Sequence, residues 1–420
     1  MKYKIVSLLL VICLLNQNPL KAQETFVLTE EDRTLLKKIQ EDSFRFFTVH
    51  TNPETGLTYD SSQSGSPASM AATGFAVASF AIGSAHGWLS YREAYEKIEK
   101  TIDTLESKAA NENGFFYHFV DPKTGKRIWS SEVSSIDTAL LMAGLLLAAS
   151  YFNGTGLETR VKKLYDHVNW NWMLNGSFLF SHGWKPNSGF LPYYWDMYSE
   201  HLILQALALG SEIHPVPEKV WREWRRDSDT YNGRKIVYSY TGSLFTYQYT
   251  HAFIDFKHLH DQSINYFENS EQASLANLEF SASYQNEYQS YQNNIWGLSA
   301  SLGPDGYKTY GAAPGEGLHD GTIASYAAIS SIVFTPRQSM TAVRALYEKY
   351  GEKLYGPFGF RDAFNVDQNW WASEYLGIDQ GITVLMLENF LNDGAVWKRF
   401  MKLPMIQRWA ERARLIQETR

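Results

Sequence analysis

Six Ala- and Gly-rich apolar segments recur along this 420-residue chain, and several of them open on a carboxylate. They begin at Thr73-Gly74, Asp137-Thr138, Ser199-Glu200, Phe245-Thr246, Asp320-Gly321 and Asp379-Gln380, roughly sixty residues apart, which leaves room for a helix pair in each repeat. Ala139 to Ala149 and Leu202 to Gly210 are apolar on nearly every side, as a helix buried between neighbours must be. Intervening stretches such as Tyr91 to Leu105 carry apolar residues at helical spacing with a charged face and read as outer helices. The pattern predicts an all-α fold, an (α/α)6 toroid of six inner and six outer helices. Parallel inner helices would gather their opening carboxylates at one end.

No Pro/Ser-rich linker, charge block or low-complexity run divides the chain, so one large domain over residues 23–420 is expected, as a monomer. The net charge of -7 provides no basic footprint for nucleic acid or an anionic membrane. A neutral or cationic ligand fits better. Aromatic residues make up 15% of the chain, many in loops with Gly, Asn and Asp, where their faces suit the CH-rich faces of sugar rings.

The first residues read as an export signal. Lys2 and Lys4 precede an apolar run from Ile5 to Leu15, and Leu20-Lys21-Ala22 ends on a small residue, so cleavage after Ala22 and a periplasmic location are expected. The run is too short to span a bilayer permanently. Cys13, the single cysteine, lies inside it behind Ile12, where a lipid-attachment signal needs a small residue. The mature chain is therefore expected to lack disulfides and a lipid anchor.

Four segments concentrate chemistry-bearing residues. In Trp129 to Thr138, Glu132 and Asp137 flank a serine cluster, with a Trp at the mouth of a buried helix; the pattern fits a polar pocket wall as well as a plain helix cap. In Tyr193 to His201, aromatic residues surround Asp196 and Glu200, an environment that lowers the local dielectric and raises a carboxyl pKa towards the range a general acid needs. The loop Gly311 to Thr322 places Glu316, His319 and Asp320 in a tight irregular turn. In Trp370 to Gly381, Asp379 and Gln380 open an apolar helix behind Trp371 and Tyr375. All of these are candidate sugar contacts, and converging carboxylates with aromatic walls fit glycoside hydrolysis. No metal-ligand spacing, nucleotide loop or nucleophile elbow accompanies them, so neither metal nor cofactor is expected.

At these residues the chain resembles the bacterial glucoamylase-like family of (α/α)6-toroid proteins, which includes endo-β-1,2-glucanases. The resemblance runs from Phe44-Arg45-Phe46-Phe47 through Ala72 to Phe75, Ser135 to Leu140, Trp195 to Glu200, Asp320 to Thr322 and Gly359 to Asn365, ending at Gly377 to Gly381. It implies an inverting hydrolase with Glu200 as general acid and Asp379 as base, the base acting on water through a substrate hydroxyl. Glu132, Asp137 and Asp196 would then hold sugar hydroxyls, and Trp195, Tyr198, Trp371 and Tyr375 would stack on sugar rings. An oligo- or polysaccharide is the implied partner, with β-1,2-glucan ahead of an exo-acting hydrolase of another linkage. A non-catalytic glycan-binding protein would share the export signal and the aromatics without needing a carboxylate pair.

Overall fold

A computed structural model describes residues 26–417; the expected export signal, residues 1–22, lies outside them. Among the described residues are 14 α-helices: α1 Glu30–Val49, α2 Met70–His86, α3 Tyr91–Ser107, α4 Ser135–Tyr151, α5 Leu157–His167, α6 Leu202–Gly210, α7 Val220–Glu223, α8 Phe245–Phe253, α9 Tyr266–Ser283, α10 Ser325–Ser330, α11 Pro336–Leu354, α12 Gly377–Leu391, α13 Ala395–Phe400 and α14 Pro404–Arg412. Strands are two to four residues long and lie in the connections between helices.

The Ala- and Gly-rich segments form the buried set. In α2 every residue from Met70 to Gly83 is buried, and in α6 all of Leu202–Gly210. Helix α2 packs on α4, α4 on α6, α6 on α8, and α12 on both α10 and α2. Gln248 of α8 donates to the Ala327 carbonyl (2.7 Å) and to Ser331 Oγ (2.8 Å), tying α8 to α10. Amphipathic helices cover this set: α1 lies on α12 and α2, α3 on α2, α5 on α4, α9 on α8 and α11 on α10.

The third repeat departs from the expected helix pair. Pro215 and Pro217 follow α6 closely, and only the four-residue α7 forms before α8, because proline cannot supply the amide of a helix interior. The C-terminal α14 covers α6 instead. A Cβ on Gly210 would lie 2.0 Å from the Met405 carbonyl oxygen, so the two backbones meet directly.

Helix starts also differ from the sequence reading by a few residues. Ser69 and Ser134 cap α2 and α4, accepting from the amides of Ala72 (3.3 Å) and Asp137 (3.2 Å). Asp137 and Asp379 are therefore third residues of their helices, not the residues that open them. Glu200 sits in the turn just before α6, and α10 begins at Ser325, beyond Asp320.

Candidate active site

At the start of α4, Ser134 Oγ donates to Asp137 Oδ2 at 2.5 Å. His118, on the short strand-rich loop before it, faces two carboxylates at once: Nδ1 lies 3.0 Å from Glu132 Oε1 and Nε2 lies 3.5 Å from Asp137 Oδ1. Burial works against a charge on this ring, but Asp137, Glu132 and Asp60 outweigh it and hold its pKa up at about 9. The ring is an imidazolium at neutral pH, with both nitrogens donating. Asp60 comes from the loop after α1. Its carbonyl accepts from Gly377 N (2.8 Å), which fixes this loop to the start of α12. Burial, reinforced by the charge on Asp137 and opposed by His118, raises its carboxyl to about 6.

Glu200 is 7% exposed and its Oε2 has no hydrogen-bond partner. Burial, with the charge on Asp137 adding to it, pushes its pKa up to about 7. The turn that carries it is fixed from both sides. Thr250 of α8 donates to the Glu200 carbonyl (2.9 Å), and buried, neutral His201 bridges the Met197 carbonyl and Gln205. Beside Glu200 opens a cavity of about 800 Å³, lined by Tyr193, Tyr194, Trp195, Asp196, Tyr240 and Phe245 among others. Trp195 is held in that wall by Nε1 donating to Ser135 Oγ (2.9 Å) and by stacking on His182 at 3.9 Å.

Asp379 is buried, as is Asp362, and the two carboxyls act on one another directly. Burial and the neighbour's charge raise Asp379 well above its ordinary range. Leu302 N donates to Asp362 Oδ2 (2.7 Å), and the Asp362 carbonyl accepts from Ser325 N (2.8 Å). Asp362 thus ties the Asp379 carboxyl, the start of α10 and the Ala300–Thr309 hairpin together. Tyr249 of α8 and Tyr307 at that hairpin both lie in the fields of Asp379 and Glu200, so the two carboxyls lie on the same side of the molecule. Tyr307 is 53% exposed.

Of the residues read from the sequence, Glu132, Asp137, Glu200 and Asp379 are brought together, and Trp195 and Asp196 line the adjoining cavity. Gln380 lies next to Asp379, with Nε2 on the Phe360 carbonyl and a buried, unpartnered Oε1. Several others are engaged elsewhere. Tyr198 is 1% exposed, stacked on Tyr247 at 5.0 Å, and has no face to offer a sugar. Trp371 stacks on Phe364 (5.2 Å, 8° between planes). Tyr375 is buried against Phe358 and Arg361. His319 packs among Phe280, Tyr284 and Tyr288, whereas the Glu316 backbone amide donates to the carbonyl of Tyr240, which lines the cavity, and so keeps Glu316 next to it. Asp320 accepts from Tyr310 Oη (2.9 Å), Lys308 Nζ (3.2 Å) and Thr322 N (3.1 Å), and so organises its own loop instead of joining the other carboxylates.

Asp60, His118, Tyr249, Tyr307 and Asp362 were not legible as site residues. Asp60 and His118 lie outside the helix-opening pattern, and Asp362 sits inside a strand-rich connection; only the phrase Gly359 to Asn365 marked the region.

Residues 192–404 match the model of the Glycoamylase family of glucoamylase-like proteins. The chain is 27% identical over 441 aligned positions to an exo β-1,2-glucooligosaccharide sophorohydrolase (non-reducing end) of Parabacteroides distasonis, covering 96% of this chain but only 60% of that protein. It is similar in structure to an endo-β-1,2-glucanase from Chitinophaga pinensis in complex with sophorotriose and glucose, with a TM-score of 0.87 at 29% identity over 92% of this chain and 99% of the other. A β-1,2-glucanase structure from Parabacteroides distasonis gives 0.86 at 26% identity, over 93% of this chain and 60% of the other. With a family match over half its length, the chain belongs to the Glycoamylase family.

Proposed function

We propose that this protein is an inverting glycoside hydrolase that cleaves β-1,2-glucan in endo fashion. The observation that carries the reading is Glu200: a buried carboxyl with a free Oε2, raised to about 7, on the wall of an aromatic cavity and beside Asp137. A carboxyl in that state holds its proton near neutral pH and can deliver it to a leaving glycosidic oxygen. Asp379 is the proposed base. It lies against Asp362, and burial together with that neighbour's charge raises Asp379 well above its ordinary range, so the two titrate as a unit. His118 lies against Asp137 and lowers the pKa of the Glu132 carboxyl, and it orients both as hydrogen-bond acceptors for sugar hydroxyls. The relatives that act on β-1,2-linked glucose support the linkage. They include both an exo and an endo enzyme, so exo action is the second reading.

The helix contacts that run from α2 through α12 and back to α2 support an (α/α)6 toroid forming one catalytic domain. Export with cleavage after Ala22, to a periplasmic monomer, rests on the N-terminal sequence pattern. The deciding experiment is product analysis on β-1,2-, β-1,3-, β-1,4- and α-1,4-glucans, with proton NMR of the anomer first released. Cleavage of β-1,2-glucan to oligosaccharides with an inverted anomer is expected. Release of sophorose alone from chain ends would establish the exo reading, and binding without cleavage of any glucan would rule out the hydrolase.

A further inference from the structure

Trp129 stands outside the lining of the 800 Å³ cavity, in a position that packing does not explain. The Ser131 amide donates to the Ile128 carbonyl (3.3 Å), closing a turn whose second residue is Trp129, and Trp129 adopts φ of +52°. That conformation suits Gly or Asn and is strained for a bulky L-residue, and such strain collects at functional positions. The tryptophan is also 69% exposed, so folding gains little from it. The turn is held firmly by Ser131, whose carbonyl accepts from Arg127 Nε (2.6 Å) and whose hydroxyl accepts from Phe119 N (2.9 Å).

From Trp129 a row of rings leads to the carboxylates. Its indole meets Phe119 edge-on at 5.6 Å, Phe119 stacks on His118 at 3.8 Å, and His118 lies on Asp137 and Glu132. The side chain is thus two rings removed from the proposed sugar-binding carboxylates, with its remaining surface in solvent. Resting on the glucan-hydrolase reading above, we propose that Trp129 is a stacking platform for a glucosyl unit beyond those held at the carboxylates, and that it sets the preference for long chains over short oligosaccharides.

The test is the ratio of kcat/KM on β-1,2-glucan polymer to kcat/KM on the shortest oligosaccharide the wild type cleaves. Loss of one stacked sugar should lower that ratio about tenfold in Trp129→Ala, and Trp129→Phe should restore much of it. Trp129→Gly should lower the ratio equally while raising the melting temperature, because glycine adopts this φ without strain. A purely structural tryptophan would instead lose stability in both small variants. An unchanged ratio, or equal losses on long and short substrates, overturns the proposal. Migration in native gels containing β-1,2-glucan separates this proposal from the reading it rests on. A wild type that is retarded but never cleaves ends the hydrolase reading, and the platform then stands or falls on whether Trp129→Ala abolishes the retardation. A wild type neither retarded nor active overturns both.

Discussion

Glu200 keeps its proton because the fold excludes water from it and sets Asp137 beside it. Glu200→Gln preserves shape but cannot exchange the proton, so kcat should fall by roughly 10²–10⁴ with circular dichroism unchanged. The same burial has a stability consequence of opposite sign to the usual carboxylate case. Its pKa rises on folding from an ordinary 4.5 to about 7, so its contribution is intact below pH 4.5 and lost as pH rises through 7. Glu200→Gln should therefore be more stable than the wild type at pH 8, by up to about 3 kcal/mol, with the difference vanishing at pH 4. Denaturant unfolding at the two pH values checks this; equal stability at pH 8 would show that Glu200 is ionised at little cost. Asp362→Asn and Asp379→Asn address the carboxyl pair. Asp379→Asn removes the proposed base and Asp362→Asn removes the neighbour that raises it, so each should depress kcat strongly; a fully active Asp379→Asn would transfer the role of base to another carboxylate.

The elements are held so close that small residues decide their spacing. Gly74 of α2 and Gly144 of α4 face each other, and a Cβ on Gly144 would lie 2.0 Å from the Gly74 carbonyl oxygen. The α4 backbone cannot retreat without moving Asp137, so Gly144→Ala should cost about 1–3 kcal/mol by overpacking and lower activity through that residue. The denaturant midpoint and kcat measured together check it. At the other side of the site, the Ala300–Thr309 hairpin depends on Asp362, which accepts from the Leu302 amide. That bond lets one carboxylate act on both the hairpin carrying Tyr307 and the Asp379 carboxyl.

Across the whole molecule the charges converge on one space from separate parts of the chain: Asp60, His118, Glu132 and Asp137, Glu200, and the Asp362–Asp379 pair. Activity should follow a bell in pH. The acidic limb reports protonation of the Asp362–Asp379 unit, and the alkaline limb sets in near 7 as Glu200 loses its proton. A profile of kcat against pH checks this, and in Asp362→Asn the acidic limb should move to lower pH as the repulsion is removed. An acidic limb that does not move would separate the pair from the chemistry.

The repeat of apolar segments was readable from the chain itself, because a helix enclosed by neighbours must be apolar all round, and Ala139 to Ala149 can satisfy its backbone in no other way. Asp137, Glu200 and Asp379 were legible as candidates because each stands directly against such a segment in an aromatic or serine-rich phrase; a lone carboxylate there fits a plain helix cap as well, and the resemblance supplied the roles. What the sequence could not show is which ring faces remain free. Tyr198 and Trp371 sit in motifs as aromatic as Trp195, yet packing covers them with Tyr247 and Phe364. Nor could it pair His118 with Asp137 or Asp362 with Asp379, since such pairs depend on distances of a few ångströms set by the path of the irregular connections between them. Local pattern specifies burial; only the closed packing of the helices decides which charges meet.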